Sequence, residues 1–197
     1  MFIKKYGIYL SILIVCLAIG LKTAMDTPLG RHTLEIRLNS SQTGVTELFY
    51  DDGLGFSAEK RIPGELLESG VDTDLVFELP QPSMVRLRWD PVYHEEGVQT
   101  TVNRIQVSFY GGEYVRDVVF ETLVPQNHIK TFRIDPSRLY FEVDPGFNDP
   151  YLILTKIPEA PEPPSRTWLI VKGFAFSLLA ALLLSAIYRL IVWYFNS

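Results

Sequence analysis

Apolar and polar positions follow different rhythms along the chain, and each rhythm predicts a different element. At the two ends the apolar residues run almost without interruption. Lys22 is the one charge in residues 6–24, and Lys172 and Arg189 are the only charges in residues 168–195. About 20 apolar residues cross a hydrocarbon core of roughly 30 Å, so both segments are predicted to be transmembrane helices. The uncharged stretch 173–188 covers about 24 Å at 1.5 Å per residue. Lys172 and Arg189 complete the crossing by extending their cations toward opposite faces. Trp168 at one end, with Trp193 and Tyr194 at the other, stands where interfacial aromatic belts are expected.

Between the ends the rhythm changes to a period of two. Leu34, Ile36 and Leu38 alternate with polar neighbours in residues 32–39, as do Val85, Leu87 and Trp89 against Arg86 and Arg88. Ile105, Val107 and Phe109 repeat the pattern, and so do Leu139, Phe141 and Val143. Strict alternation marks half-buried strands. Further strands are predicted at 46–50, 75–79, 115–120, 128–134 and 151–155, with a helical turn as the alternative within 113–123. Asp51-Asp52-Gly53, Gly111-Gly112, Asp135-Pro136-Ser137 and Asp144-Pro145-Gly146 supply turns between them. Eight or nine short strands with one polar face each must stack two sheets to bury their other faces. Residues 27–157 are therefore read as one all-β domain, a β-sandwich of jelly-roll type. Residues 158–166 are proline-rich and predict an extended, stiff stalk.

Charge sets the topology. All 23 acids lie between Asp26 and Glu162 and 13 of the 18 bases between Arg31 and Arg166, so residues 26–166 carry a net charge of −10. Lys4 and Lys5 place residues 1–5 in the cytoplasm by the positive-inside tendency. A second crossing returns the C-terminus to the same side, and the middle faces outward. A cleaved signal peptide is the alternative for the first segment. Lys22 occupies the minus-three position for cleavage after Ala24, which favours an uncleaved span. An acidic domain is a poor partner for nucleic acid, whose affinity comes from neutralised phosphates. Cys16, the sole cysteine, lies in the first span, so no intramolecular disulfide exists.

Enzyme chemistry finds little foothold. His32, His94 and His128 have no metal-ligand spacing. Nucleophile elbow, phosphate loop and dinucleotide fingerprint are all missing. Asp51-Asp52 and Glu95-Glu96 are adjacent pairs whose side chains point apart, which argues against glycosidic acid–base work. The chain is expected to be non-enzymatic, with no cofactor and no metal. Sugar recognition is better served, since it needs an aromatic face beside carboxylates. Tyr50, Asp51, Asp52 and Phe56 offer those types in one loop. Arg88, Trp89, Asp90 and Tyr93 offer them in a second, although Trp89 is in phase with Val85 and Leu87 and fits the core equally.

Those loops carry a resemblance. The run ELFYDDGLGFSAEKRIPGEL, then LVFELP, VRLRWDPV and VNRIQVSFY, resembles a lectin-like β-sandwich module over residues 30–155. Such modules occur outside the cytoplasm in bacterial membrane proteins that build or modify surface polysaccharide. The resemblance implies a carbohydrate-facing or scaffolding module on the periplasmic side of the bacterial inner membrane. The multi-helix glycosyltransferase body that accompanies such modules is missing here, which implies an accessory subunit. Gly173, Ser177, Ala181 and Ser185 recur every four residues, a small face suited to close helix packing in lipid. That face can serve the two spans' own packing or a transmembrane partner such as a glycosyltransferase. A subunit of a larger membrane complex that never binds carbohydrate is the alternative reading.

Overall fold

The computed structural model describes residues 2–81, 84–146 and 149–196. The side chains of Lys4, Lys5 and Trp193 lie outside the described set. The chain forms two compact units, one helical and one built from Leu29–Glu162.

Eleven strands are described in the second unit. They are β1 (His32–Ser40), β2 (Gly44–Asp51), β3 (Arg61–Leu67), β4 (Thr73–Leu79), β5 (Arg86–Asp90), β6 (Val98–Phe109), β7 (Tyr114–Asp117), β8 (Leu123–Gln126), β9 (Ile129–Asp135), β10 (Arg138–Val143) and β11 (Tyr151–Leu154). One sheet has the order β4-β1-β6-β10-β9, with β7 also on β6, and the other the order β3-β2-β5-β11-β8. All neighbours are antiparallel. The inner faces meet in one core, where Leu34, Ile36, Phe77, Leu87, Trp89, Val107, Phe109 and Phe141 are fully or almost fully buried. Trp89 meets Phe141 edge to face at 5.7 Å.

Two strands were not expected, and both contain proline. β3 carries Pro63-Gly64 and β8 carries Pro125, and they are the two edges of the second sheet. An edge strand tolerates a missing N–H and is protected from further pairing by it. Gly64 is required by a close approach, because a Cβ there would lie 2.6 Å from Thr46 Oγ1 and 2.8 Å from the Thr46 carbonyl. β6 is longer than its visible alternation. Arg37 faces Arg104 and Leu38 faces Val102, so Asn103 is an extra residue that resets the phase. A 3₁₀ turn occupies Phe120–Thr122, within the segment where a strand or a helical turn was expected.

The registers orient this unit. β1 and β2 are joined by a short turn, so the start of β1 and the end of β2 share one end of the sandwich. β5 starts and β11 stops at that end too, because Asp51 faces Arg86 and Leu87 faces Leu154. Both chain connections therefore leave from the same end. The expected stalk begins differently from a free spacer. Ile157 and Ala160, three residues apart, pack against the core, and Tyr110 Oη donates to the Pro161 carbonyl at 2.7 Å. A three-residue period places such positions on one side of an extended chain.

The helical unit pairs α1 (Phe2–Asp26) with α2 (Arg166–Asn196). Both are long and apolar enough to cross a membrane. They run antiparallel, since Tyr9 meets Tyr188 and Gly20 meets Gly173. The small face of α2 is turned toward α1. Ser177 and Ala181 are buried, Gly173 and Ser185 are half-buried, and a Cβ on Gly20 would overlap Ser177 Oγ. Of the two uses open to this stripe, the structure shows packing between the chain's own helices. Ser165 Oγ accepts from the Trp168 N–H and caps the start of α2. Arg166 Nη1 donates to the carbonyls of Ala24, Met25 and Thr27, which closes the open end of α1.

Candidate functional site

The β2–β5 ladder decides where each candidate polar residue goes. Glu47 pairs with Asp90, Phe49 with Arg88 and Asp51 with Arg86. Alternation sends those six side chains to the outer face and sends Leu48, Leu87 and Trp89 inward. Asp51 and Asp90 thus stand at opposite ends of the ladder, about 13 Å apart at roughly 3.3 Å per residue. Of the eight candidate ligand-binding residues, Tyr50, Asp51, Asp52 and Phe56 lie at one place, Arg88, Asp90 and Tyr93 at another, and Trp89 in the core.

At the first place, Asp51 is 2% exposed and its carboxylate is saturated. Oδ1 accepts from the N–H groups of Gly53 and Gly55, both at 2.8 Å, and Oδ2 accepts from Arg86 Nη2 at 2.7 Å and Nε at 3.1 Å. Arg86 and the two amides hold its pKa below the ordinary carboxylate value. Asp52 accepts from Lys60 Nζ at 2.6 Å and from the Leu54 N–H, and Lys60 lowers its pKa as well. Lys60 also donates to the Gly55 carbonyl. Gly53 and Gly55 have φ of 103° and 86°, a region that favours glycine. Phe56 lies under the Arg86 guanidinium, 5.4 Å away, and Tyr50 packs half-buried against the core. The aromatic and acidic side chains of this loop build the loop itself.

The second place centres on Arg88. Its guanidinium makes a two-pronged pair with Asp90, both bonds at 2.7 Å, and a further bond to Asp149. The rings of Phe49 and Tyr151 lie 5.2 Å and 4.1 Å from it, so it is held between two aromatic faces. Asn127 Nδ2 donates to the Asp149 carbonyl at 3.2 Å, and Arg61 pairs with Glu47 at 3.0 Å. Beside this cluster opens a cleft of about 270 Å³, lined by Val45, Glu47, Asp90, Pro91, Tyr93, Asp149 and Pro150. Burial raises the Asp90 pKa, helped by the nearby charges of Asp149 and Glu47, even though Arg88 opposes the shift. Asp90 in turn raises the pKa of Arg88.

Of the expected second set, Arg88, Asp90 and Tyr93 are brought together here. Trp89 is not, because it is fully buried and presents no face for stacking. Its phase with Leu87 decided this. Glu47, Phe49, Asp149 and Tyr151 were missed. A signal existed: Asp90-Pro91 ends β5 and Asp149-Pro150 precedes β11, and the two strands are antiparallel neighbours. No cluster of three or more His, Cys, Asp or Glu side chains suited to a metal occurs among the described residues.

No protein-family model matches the sequence, and no curated protein matches it significantly. Geometry alone therefore defines what the cleft offers. Carboxylate oxygens accept hydrogen bonds from hydroxyl or ammonium donors, and the Tyr93 ring, Pro91 and Pro150 supply apolar surface beside them.

Proposed function

We propose that the chain is a two-span protein of the bacterial inner membrane whose β-sandwich stands in the periplasm and holds carbohydrate in the Asp90–Tyr93 cleft. Its role is that of a non-enzymatic accessory or scaffold subunit in cell-surface glycan assembly. The observation that carries this reading is the cleft, where three carboxylates with fixed partners flank an exposed tyrosine ring. Pyranose recognition calls for that combination, with hydroxyls meeting acceptors and the C–H face meeting an apolar surface. Pre-set carboxylates lower the ordering cost of binding.

A jelly-roll assignment accompanies the reading and rests on nested pairing. β1–β6 and β2–β5 lie side by side in the two sheets, and β6–β10 and β5–β11 repeat the nesting. A long hairpin rolled over itself pairs in this way.

The test is binding of the full chain, in detergent, to an array of bacterial surface glycans. Retention of at least one glycan, lost in Tyr93→Ala and kept in Asp52→Asn, supports the site. Absence of any retained glycan, or indifference to Tyr93→Ala, removes it. A structural or sensory subunit of a larger membrane complex, without carbohydrate, is the second reading. It is favoured by the internal pairing of Asp51 and Asp52, and co-purification of membrane chains without glycan binding would select it.

A further inference from the structure

The loop after β2 ends in an exposed side chain that its own bonding does not explain. Leu54 is 88% exposed, the most exposed of the large hydrophobics among the described residues. A leucine in open water forgoes apolar burial, and a mobile loop could tuck it away. This loop cannot readily do so. Asp51 binds the amides on both sides of Leu54, Asp52 binds the Leu54 amide, and Lys60 ties Asp52 to the Gly55 carbonyl. The carboxylates therefore hold a leucine outward on a stiff turn.

Position identifies what the leucine meets. The loop stands at the end of the sandwich from which both chain connections leave, since Asp51 faces Arg86, β1 starts there and β11 ends there. Only residues 27–31 separate Asp26, the last residue of α1, from β1. Five residues span at most about 17 Å when fully extended. On the other side, Pro161 is fastened to Tyr110, five residues before Arg166 opens α2. Short covalent tethers thus join this end of the domain, and not the opposite one, to the two helices long and apolar enough to cross a membrane. Charge agrees with this. The domain is acidic, yet here Asp51 is paired with Arg86 and Asp52 with Lys60, which among the described residues leaves Glu59 as the loop's one carboxylate outside an ion pair and keeps repulsion by anionic headgroups small. Val85, 55% exposed, adds apolar surface beside it, its N–H bonded to the Asp51 carbonyl.

We propose that Leu54 is an interfacial anchor that seats in the headgroup–acyl boundary of the membrane crossed by α1 and α2. One leucine would be too weak to recruit a soluble domain. The covalent tethers keep its effective concentration high, so a modest gain suffices to orient the domain. The inference depends on the helices crossing the membrane and not on what the cleft binds.

A label at position 54 tests it in the full chain. Leu54→Cys in a Cys16→Ser background carries an environment-sensitive fluorophore, and the protein is reconstituted into phosphatidylethanolamine–phosphatidylglycerol vesicles. Val71→Cys, exposed on the turn at the opposite end of the sandwich, carries the same label as control. With Trp168 and Trp193 replaced by phenylalanine, Trp89 emission verifies that each labelled protein is folded. The expected result is a blue-shifted emission at 54, quenched by spin-labelled lipid and several-fold less by aqueous iodide, with an aqueous signal at 71. An aqueous signal at 54 overturns the proposal. So does an apolar signal seen only in native membranes, which assigns Leu54 to a protein pocket, or apolar signals at both positions, which indicate non-specific adsorption.

Discussion

Replacing Arg88 with alanine removes the cation that holds Asp90 and Asp149 in place, and the structure sets the size of the effect. The Arg88 and Asp90 side chains are 22% and 19% exposed. Stripping one partner from a buried ion pair costs about 3–5 kcal/mol, because a charge is left without compensation. Residual solvent contact screens this, and a value nearer about 2 kcal/mol is reasonable for a pair at this depth. Loss of the guanidinium between Phe49 and Tyr151 adds about 0.5–1 kcal/mol. The sum is a destabilisation of about 2–3 kcal/mol. For a domain of this size each kcal/mol lowers Tm by about 4 °C, giving a fall of roughly 10 °C. Trp89 emission reports the melt once Trp168 and Trp193 are replaced by phenylalanine.

Two companion measurements separate the ion pair from simple loss of bulk. Arg88→Ala/Asp90→Ala should lose less than the two single changes added together, with a coupling of about 1–2 kcal/mol. Arg88→Ala should also become less harmful as pH falls into the carboxylate range. Asp90 already has a raised pKa and, once protonated, needs no counter-charge. Arg88→Lys should not restore stability, since a lysine offers neither the fork nor the stacking plane. A cost below about 0.5 kcal/mol, or full additivity in the double variant, would refute the account of Arg88 as the organiser of the cleft.

The other predictions are briefer. Asp51→Asn should lower the urea midpoint at neutral pH and do so far less in strong acid. The folded pKa of Asp51 is depressed, so its stabilisation is present above the ordinary carboxylate value of 3.8 and fades as pH falls through the lower folded one. His32 shows the same direction for another reason. Burial between Phe109 and Tyr110 lowers its pKa, so the neutral form favours folding above the ordinary value of 6.5 and stability declines on acidification. Thermal melts from about pH 7.5 to about pH 5.5 should show a fall that His32→Gln flattens. Gly20→Val should part the helices, at an overpacking cost of about 1–3 kcal/mol, since even a Cβ there reaches 2.5 Å from the Gly173 carbonyl. Loss of bismaleimide cross-linking between Tyr9→Cys and Tyr188→Cys measures it.

What sequence periodicity revealed and what it hid have the same physical source. Where one face is buried and the other is wet, alternation is strict, and β1, β5 and β10 could be read directly. Where a strand has a proline, a close-packed glycine or a bulge, the alternation is broken by the feature that makes the strand work. Pro63 and Pro125 protect two edges, Gly64 admits Thr46, and Asn103 resets β6. The site followed the same logic. Arg88, Asp90 and Tyr93 were visible as a polar strand end beside an aromatic. Glu47 and Asp149 join them only through strand register, which a linear pattern does not contain. In the Asp51 loop, side chains of types suited to bonding a sugar are bonded instead to the loop's own amides and to Arg86 and Lys60.

Counting acceptors distinguishes the two aspartate sites. A carboxylate offers about four lone-pair positions. Asp51 uses all four, on two amides and two guanidinium donors, so a ligand could reach it only by breaking the loop. Among the described residues Asp90 accepts two bonds, both from Arg88, and lines an open cleft with the remainder. Their opposite pKa directions express the same difference. A saturated carboxylate is stabilised as an anion, whereas an under-coordinated one, partly buried near Asp149 and Glu47, gains from any donor that arrives. A hydroxyl-bearing ligand is such a donor, and it would lower the Asp90 pKa on binding. On the proposed reading, room for a ligand's donors is found at the carboxylate with the poorer electrostatic environment, whereas the better-bonded one holds its own loop.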